Sequence, residues 1–227
     1  MKTLIIVRHG NTFLTGEPAR RVGRRTDLPL VETDRARGAA RCLRSLGCLP
    51  DKAFAAPLQR TLRTAELVLE ELGLTLPVRP APDFSEIDYG PDENQEEQQL
   101  KLRLGRVQAQ ESGVDPESLA EEALQRRGEG VLALWNEKAI PPPGWQVDPN
   151  RVAADWKRFA DGIAPGESVL LVSSNGVIRF APHLLPERER LAFADGRSLK
   201  VTTGGVCIFT LKDGVWHCPH WNISPLP

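Results

Sequence analysis

Residues 4–12 read Leu4-Ile5-Ile6-Val7-Arg8-His9-Gly10-Asn11-Thr12, an apolar, β-rich run that ends in a cation, an imidazole and a glycine. The run predicts a short buried strand. In α/β sheets ligands bind at the C-terminal ends of such strands, which is where Arg8 and His9 fall. Gly10 lets the backbone turn close to a ligand. Asn11 and Thr12 offer amide, hydroxyl and backbone donors to an anion. A histidine that can be phosphorylated, beside an arginine that neutralises phosphate oxygens, suits phosphoryl transfer. The competing reading is a strand-end arginine next to a histidine satisfied by its own neighbours.

Working outward, the alternation of strand and helix argues for a mostly parallel sheet. Thr33 is placed to cap a helix running to about Leu46, with Ala36, Ala39, Ala40, Leu43 and Leu46 on one face and Gly47 at its end. Lys52–Ala56 reads as a second strand. Pro57 opens a helix to about Leu72, with Leu58, Leu62, Ala65, Leu69 and Leu72 at helical spacing. Residues 77–91 read as a proline-rich connection. Residues 92–137 change character, rich in Glu, Gln, Arg and Leu with helical periodicity. They predict two or three amphipathic helices broken at Gly113 to Pro116. Helical periodicity resumes at residues 150–161. Ser168–Ser173 is the clearest strand of the second half. A hairpin is expected over 206–211 and 215–221, turning at Asp213-Gly214.

The 227 residues suffice for one domain with a sizeable insertion. A formal net charge of −1 gives no reason to expect a nucleic acid or an acidic membrane as partner. No apolar stretch approaches membrane-spanning length, and no signal peptide is expected at the N-terminus. Cys42, Cys48, Cys207 and Cys218 form no Cys-x-x-Cys pair, so free thiols in a cytoplasmic protein are expected. The basic run Arg20-Arg21-Val22-Gly23-Arg24-Arg25 is either a solvated loop or a rim that attracts a phosphorylated substrate. His217-Cys218-Pro219-His220 has no second pair to complete a tetrahedral set and reads as strand-end polar residues. Trp135, Trp145 and Trp156 read as residues that bury helices against the sheet.

Four segments together resemble the histidine phosphatase superfamily, the phosphoglycerate mutase-like family. Arg8-His9-Gly10-Asn11-Thr12 is similar to the family's Arg-His-Gly-x-Thr nucleophile motif. Ala56-Pro57-Leu58-Gln59-Arg60-Thr61-Leu62-Arg63-Thr64-Ala65 resembles its Ser-x-Leu-x-Arg-Ala-x-x-Thr-Ala segment and puts Arg60 at a second phosphate-binding arginine. Phe84-Ser85-Glu86-Ile87-Asp88-Tyr89-Gly90 resembles Leu-x-Glu-x-x-x-Gly and makes Glu86 the proton donor, with Asp88 its local competitor. The family then usually reads Trp-Glu-Gly, where this chain has Asp92-Glu93-Asn94, so the match is taken to stop early. Ser173-Ser174-Asn175-Gly176-Val177-Ile178-Arg179 stands where the family has Ser-His-Gly-Gly-Val-Ile-Arg, with Ser174 in place of the second histidine. Arg25-Thr26-Asp27-Leu28-Pro29-Leu30 matches a family loop, whereas an asparagine the family often has is Thr15 here.

The resemblance implies a three-layer α/β/α sandwich around a mostly parallel sheet. Residues 92–149 would be a helical cap insertion in a single domain spanning 1–227. It implies hydrolysis of a phosphorylated small molecule, with His9 as nucleophile and Glu86 as acid. Arg8 and Arg60 would hold the phosphoryl group, with Asn11, Ser174 and Asn175 as neutral donors. No metal or organic cofactor is required by this chemistry. A mutase is disfavoured because the longer mutase segments are not apparent. The alternative, raised by Ser174, is a protein that binds phosphorylated ligands without turning them over. Substrate and oligomeric state are not written in the sequence.

Overall fold

The apolar run quoted above forms β1 (Lys2–Arg8), whose residues 3–7 are all buried. A strand covered on both faces has no polar side to show, which is why its sequence does not alternate. In the computed structural model, which describes residues 1–195 and 198–227, β1 lies inside a six-stranded sheet. It runs parallel to β4 (Ser168–Ser173) and antiparallel to β5 (Val206–Lys212). Beyond β4 come β2 (Lys52–Ala55) and β3 (Val78–Pro80), both parallel; beyond β5 comes β6 (Val215–Ile223), antiparallel. The order β3-β2-β4-β1-β5-β6 brings the two clearest strands of the sequence, β1 and β4, side by side.

Alternate residues of these strands feed two cores. Ile5, Val7, Leu170 and Val172 pack with Ala39, Ala40 and Leu43 of α1 (Asp34–Ser45) and Ala65, Val68 and Leu69 of α2 (Gln59–Leu72). Leu4, Ile6, Val169 and Leu171 face the other way, onto Trp156 and Ala160 of α5 (Pro149–Asp161). Helix, sheet, helix is the three-layer arrangement the resemblance implied. The second core also takes in Leu100 and Leu104 of α3 (Glu97–Glu111) and Leu132 and Trp135 of α4 (Glu121–Lys138). Trp135 and Trp145 meet edge to face at 5.3 Å, so these rings bury the helices, as expected. The α3–α4 pair is drawn together by Gly105 and Gly128. A methyl group at either would run into the carbonyl of Leu124 or of Lys101 on the facing helix.

Several local expectations change. Thr33 makes no side-chain cap; the Glu32 carboxylate accepts from Arg35 N (3.0 Å) instead. Helix α2 starts at Gln59, two residues after Pro57, because Leu58 is still extended and Thr61 Oγ1 accepts from its N–H. The proline-rich connection contains strand β3, since Pro80 at an edge needs no ladder donor. Between α3 and α4 the chain turns through Pro116–Ser118. Two further helices, α6 (Asn175–Ile178) and α7 (Glu187–Ala194), follow β4. No described helix is long and apolar enough to cross a membrane.

Candidate active site

The register Arg8↔Ser173 sets the end of β1 against the end of β4. His9 N donates to Ser173 O (3.1 Å), so His9 and Ser174 leave the sheet side by side. The His9 ring then folds back, with Nδ1 2.8 Å from Gly10 O. A carbonyl only accepts, so Nδ1 carries the proton and the neutral ring keeps its lone pair on Nε2. Burial, then the charges of Arg8 and Arg60, hold the His9 pKa well below the usual histidine value. The imidazole is therefore held in its neutral form, with the Nε2 lone pair available.

His9 opens onto a cleft of about 620 Å³, which Arg8, Asn11, Glu86 and Asn175 also line. The Arg8 guanidinium donates to Val201 O while its Nε has no partner among the described residues. Arg60 is fully buried at the start of α2 and does not itself line the cleft. Its two terminal nitrogens donate to Thr26 O (2.9 Å) and Gly23 O (3.0 Å), and its Nε is also unpartnered. Desolvation lowers the pKa of both arginines, partly offset by Glu86. The loop that receives Arg60 is the Arg25–Leu30 segment singled out in the sequence. Asp27 of that loop accepts from Gln59 N (2.8 Å) and so ties it to the first turn of α2. Thr64 Oγ1, one turn on, accepts from Gly10 N (3.1 Å) and joins α2 to the His9 loop.

Glu86 is buried, and backbone donors fix both its oxygens: Ile87 N to Oε1 (2.9 Å) and Gly176 N to Oε2 (3.2 Å). A methyl group on Gly176 would collide with that carboxylate, so the glycine after β4 is what lets Glu86 approach. Asp88 is otherwise engaged, accepting from Gly90 N (2.7 Å) and pairing with Arg25 (3.2 Å). Asn175 Oδ1 accepts from Val201 N (2.8 Å), which leaves its amide nitrogen as the free donor. Ser174 is fully buried, does not line the cleft, and its hydroxyl has no partner among the described residues.

The basic run divides. Arg20 and Arg21 line the cleft, Arg21 pairing with Glu97 (2.7 Å) and lying over the rings of Tyr89 and Trp145; Arg25 turns to Asp88. Thr15 lines the cleft as well. His183 does not line it, standing in the turn Ala181–Leu184 near Phe180. Among the described residues no three His, Cys, Asp or Glu side chains are placed to share a metal.

One residue with a clear part in the site was missed, Glu93. Its carboxylate accepts from Gly23 N (3.0 Å), Arg25 N (3.2 Å), Thr26 Oγ1 (2.8 Å) and Tyr89 N (3.3 Å), and so binds the Arg60-receiving loop to the Glu86 segment. The family's Trp-Glu-Gly was the available signal. Glu93 keeps its acid, Asn94 takes the left-handed conformation (φ 61°) that suits glycine, and only Asp92 departs. Asp92 instead pairs with Arg103 and accepts from Trp145 Nε1 (2.7 Å). Arg179 was also passed over. It is buried, its guanidinium 3.8 Å above the Trp135 ring, and its Nε donates to Asn175 O (3.3 Å). Burial brings its pKa down to about 9. Two buried cations, Arg60 and Arg179, and the part-buried Arg8 outnumber the buried Glu86 carboxylate, which favours an anion.

Residues 4–134 match the histidine phosphatase superfamily (branch 1), and the chain belongs to that family. The matched stretch holds His9, Arg60 and Glu86 and ends before Ser174. The chain is similar to the 2,3-bisphosphoglycerate-dependent phosphoglycerate mutase of Nitrobacter hamburgensis, 27% identical over 217 residues, 93% of this chain and 92% of that protein. It is 30% identical to the enzyme of that name from Thermobifida fusca over 221 residues, 94% and 88% of the two chains. Among solved structures it resembles a mycobacterial glucosyl-3-phosphoglycerate phosphatase in complex with VO3 (TM-score 0.67, 19% identity, 98% and 99% covered). It also resembles the phosphoglycerate mutase of Bacillus anthracis (TM-score 0.65, 22% identity, 97% and 92% covered). Mutases and phosphatases both move a phosphoryl group, the chemistry common to these neighbours.

Proposed function

We propose that the protein hydrolyses small phosphomonoesters through a phosphohistidine on His9. The observation that carries this reading is the His9 ring, locked by Gly10 O with Nε2 free in a cleft that Arg8 and Glu86 share. Nε2 attacks phosphorus, the N–P bond forms, and the bond to the ester oxygen breaks. Glu86 gives its proton to that oxygen, because an alkoxide is a poor leaving group. In the second half Glu86 takes a proton from water, which attacks phosphorus, breaks the N–P bond and restores His9. Arg8, which lines the cleft, stabilises the equatorial oxygens, and a donor of this kind contributes about 3–4 kcal/mol; Arg60, buried outside the cleft, adds its positive charge and holds the loop at residues 23–26. Asn11 and Asn175, which line the cleft, are neutral donors to the same group; Ser174, buried outside it, does not reach the group. No step calls for a metal or cofactor. Residues 92–149 are proposed to act as a cap, with Arg21 held by Glu97 of α3 at the cleft wall.

Chain length does not separate hydrolysis from mutase chemistry, since the chain covers most of its mutase relatives. Hydrolysis is preferred because exposed Thr15, Glu17, Arg20 and Lys200 around the cleft leave it within reach of water. Ser174 favours a second reading, a binder of phosphorylated ligands without turnover. A phosphomonoester panel run with wild type and His9→Ala, alongside a phosphoglycerate mutase assay, tests all three. Phosphate release that His9→Ala abolishes is expected. Isomerisation without release would make the protein a mutase, and binding without either would make it a binder.

A further inference from the structure

We infer that Lys200 supplies the positive charge that the end of β4 does not carry, its ammonium contacting a phosphoryl oxygen above Ser174 and Asn175. This rests on the phosphatase reading. Lys200 is exposed, lines the same cleft as His9, and has no ion-pair or hydrogen-bond partner for its Nζ among the described residues. Its position is set by the site itself. On one side Leu199 N donates to Asn136 O (2.9 Å). On the other, Val201 N donates to Asn175 Oδ1 (2.8 Å) and Val201 O accepts from Arg8. Gly204 N then donates to Arg8 O (3.0 Å). Val201, the neighbour of Lys200, is thus tied through both its N–H and its carbonyl to Asn175 and Arg8, which line the same cleft.

The other cations nearby are less suited to that oxygen. Arg21 is committed to Glu97, and Arg20, whose backbone pairs with that of Glu96, has none of the backbone ties to Arg8 and Asn175 that hold the Lys200 segment. Arg179 is sealed beneath Trp135 and does not line the cleft. A lysine is a compact, fully charged donor that suits phosphate as a point charge. Lys200 takes no part in bond making or breaking, which stay with His9 and Glu86.

The test is calorimetry of inorganic phosphate and orthovanadate with wild type, Lys200→Ala and Lys200→Arg, beside turnover of the best ester from the panel. Lys200→Ala is expected to weaken both anions and lower turnover by about 10–100-fold, the size of one charged hydrogen bond. Lys200→Arg is expected to recover most of the loss. Because the side chain is exposed, neither change threatens the fold. Unchanged anion affinity in Lys200→Ala, with turnover still lost in His9→Ala, would overturn the Lys200 assignment and leave the phosphatase standing. Weakened anion binding in a chain that turns nothing over would uphold Lys200 and reject the phosphatase. Turnover lost in Lys200→Ala at unchanged anion affinity would place Lys200 on the leaving group and overturn the assignment.

Discussion

The ends of β1 and β4 lie side by side under the cleft, and they are furnished in opposite ways. At the end of β1 sit a cation and an imidazole, Arg8 and His9, held by Val201 O and Gly10 O, with the loop after them braced from α2 by Thr64. At the end of β4 stand Ser174, buried with an unpartnered hydroxyl, and Asn175, whose carbonyl is spent on Val201. One strand end carries chemistry. The other carries geometry: Gly176 N holds Glu86, and Asn175 holds the Lys200 segment. On the proposed function, the site keeps a nucleophile and an acid while the charge opposite them stands on another loop.

The contrast is sharpest in the nucleophile. His9→Ala should lower turnover by at least about 10⁴-fold, as removal of a nucleophile does. Next comes Arg8→Ala, which removes the charged donor that lines the cleft and should cost about 10²–10³ in kcat. Comparable losses from Ser174→Ala would show that the β4 end is no weaker than the β1 end, and would break the comparison. Gly176→Ala tests the geometric role of β4. The added methyl group pushes on the Glu86 carboxylate. We expect kcat to fall about 10–100-fold with vanadate affinity unchanged, the signature of a displaced proton donor.

Two smaller effects concern stability. Folded His9 resists protonation, whereas in the unfolded chain it titrates near the usual value of about 6.5. The unfolded state thus binds more protons below that pH, so stability falls as pH drops from about 6.5 toward the lower folded pKa. The slope reaches at most about 1.4 kcal/mol per pH unit. Urea titrations at several pH values should show this slope in wild type and its loss in His9→Ala. Phosphate at about 100 times its Kd should add about 2.7 kcal/mol, or roughly 5–10 °C in Tm. A thermal shift that survives loss of both Arg8 and Arg60 would place the anion elsewhere.

The strand and helix framework was legible because β1, β4, α1 and α2 bury themselves through simple periodicity. The candidates Arg8, His9 and Arg60 were legible because each falls next to such an element, whereas Glu86, in the irregular stretch after β3, was legible only through the resemblance. What escaped lies where contacts are made across the chain. Strand β3 was hidden by its prolines, which an edge strand tolerates. Glu93 was hidden by Asp92, whose pairing with Arg103 interrupts the expected tripeptide while leaving its acid in place. Lys200 sits in a segment without periodicity, and only the bonds of its neighbours Leu199 and Val201 to Asn136, Asn175 and Arg8 reveal its position. The Gly105–Gly128 contact of α3 and α4 is equally invisible until the helices are seen to cross.

The most direct test of the account is to trap the intermediate. The chain is mixed with the best ester from the panel, quenched within one turnover, and weighed intact before and after acid treatment. The account predicts an acid-labile phosphoryl adduct on wild type, mapped to His9 and absent from His9→Ala. Turnover without an adduct, or an adduct that persists in His9→Ala, would contradict it.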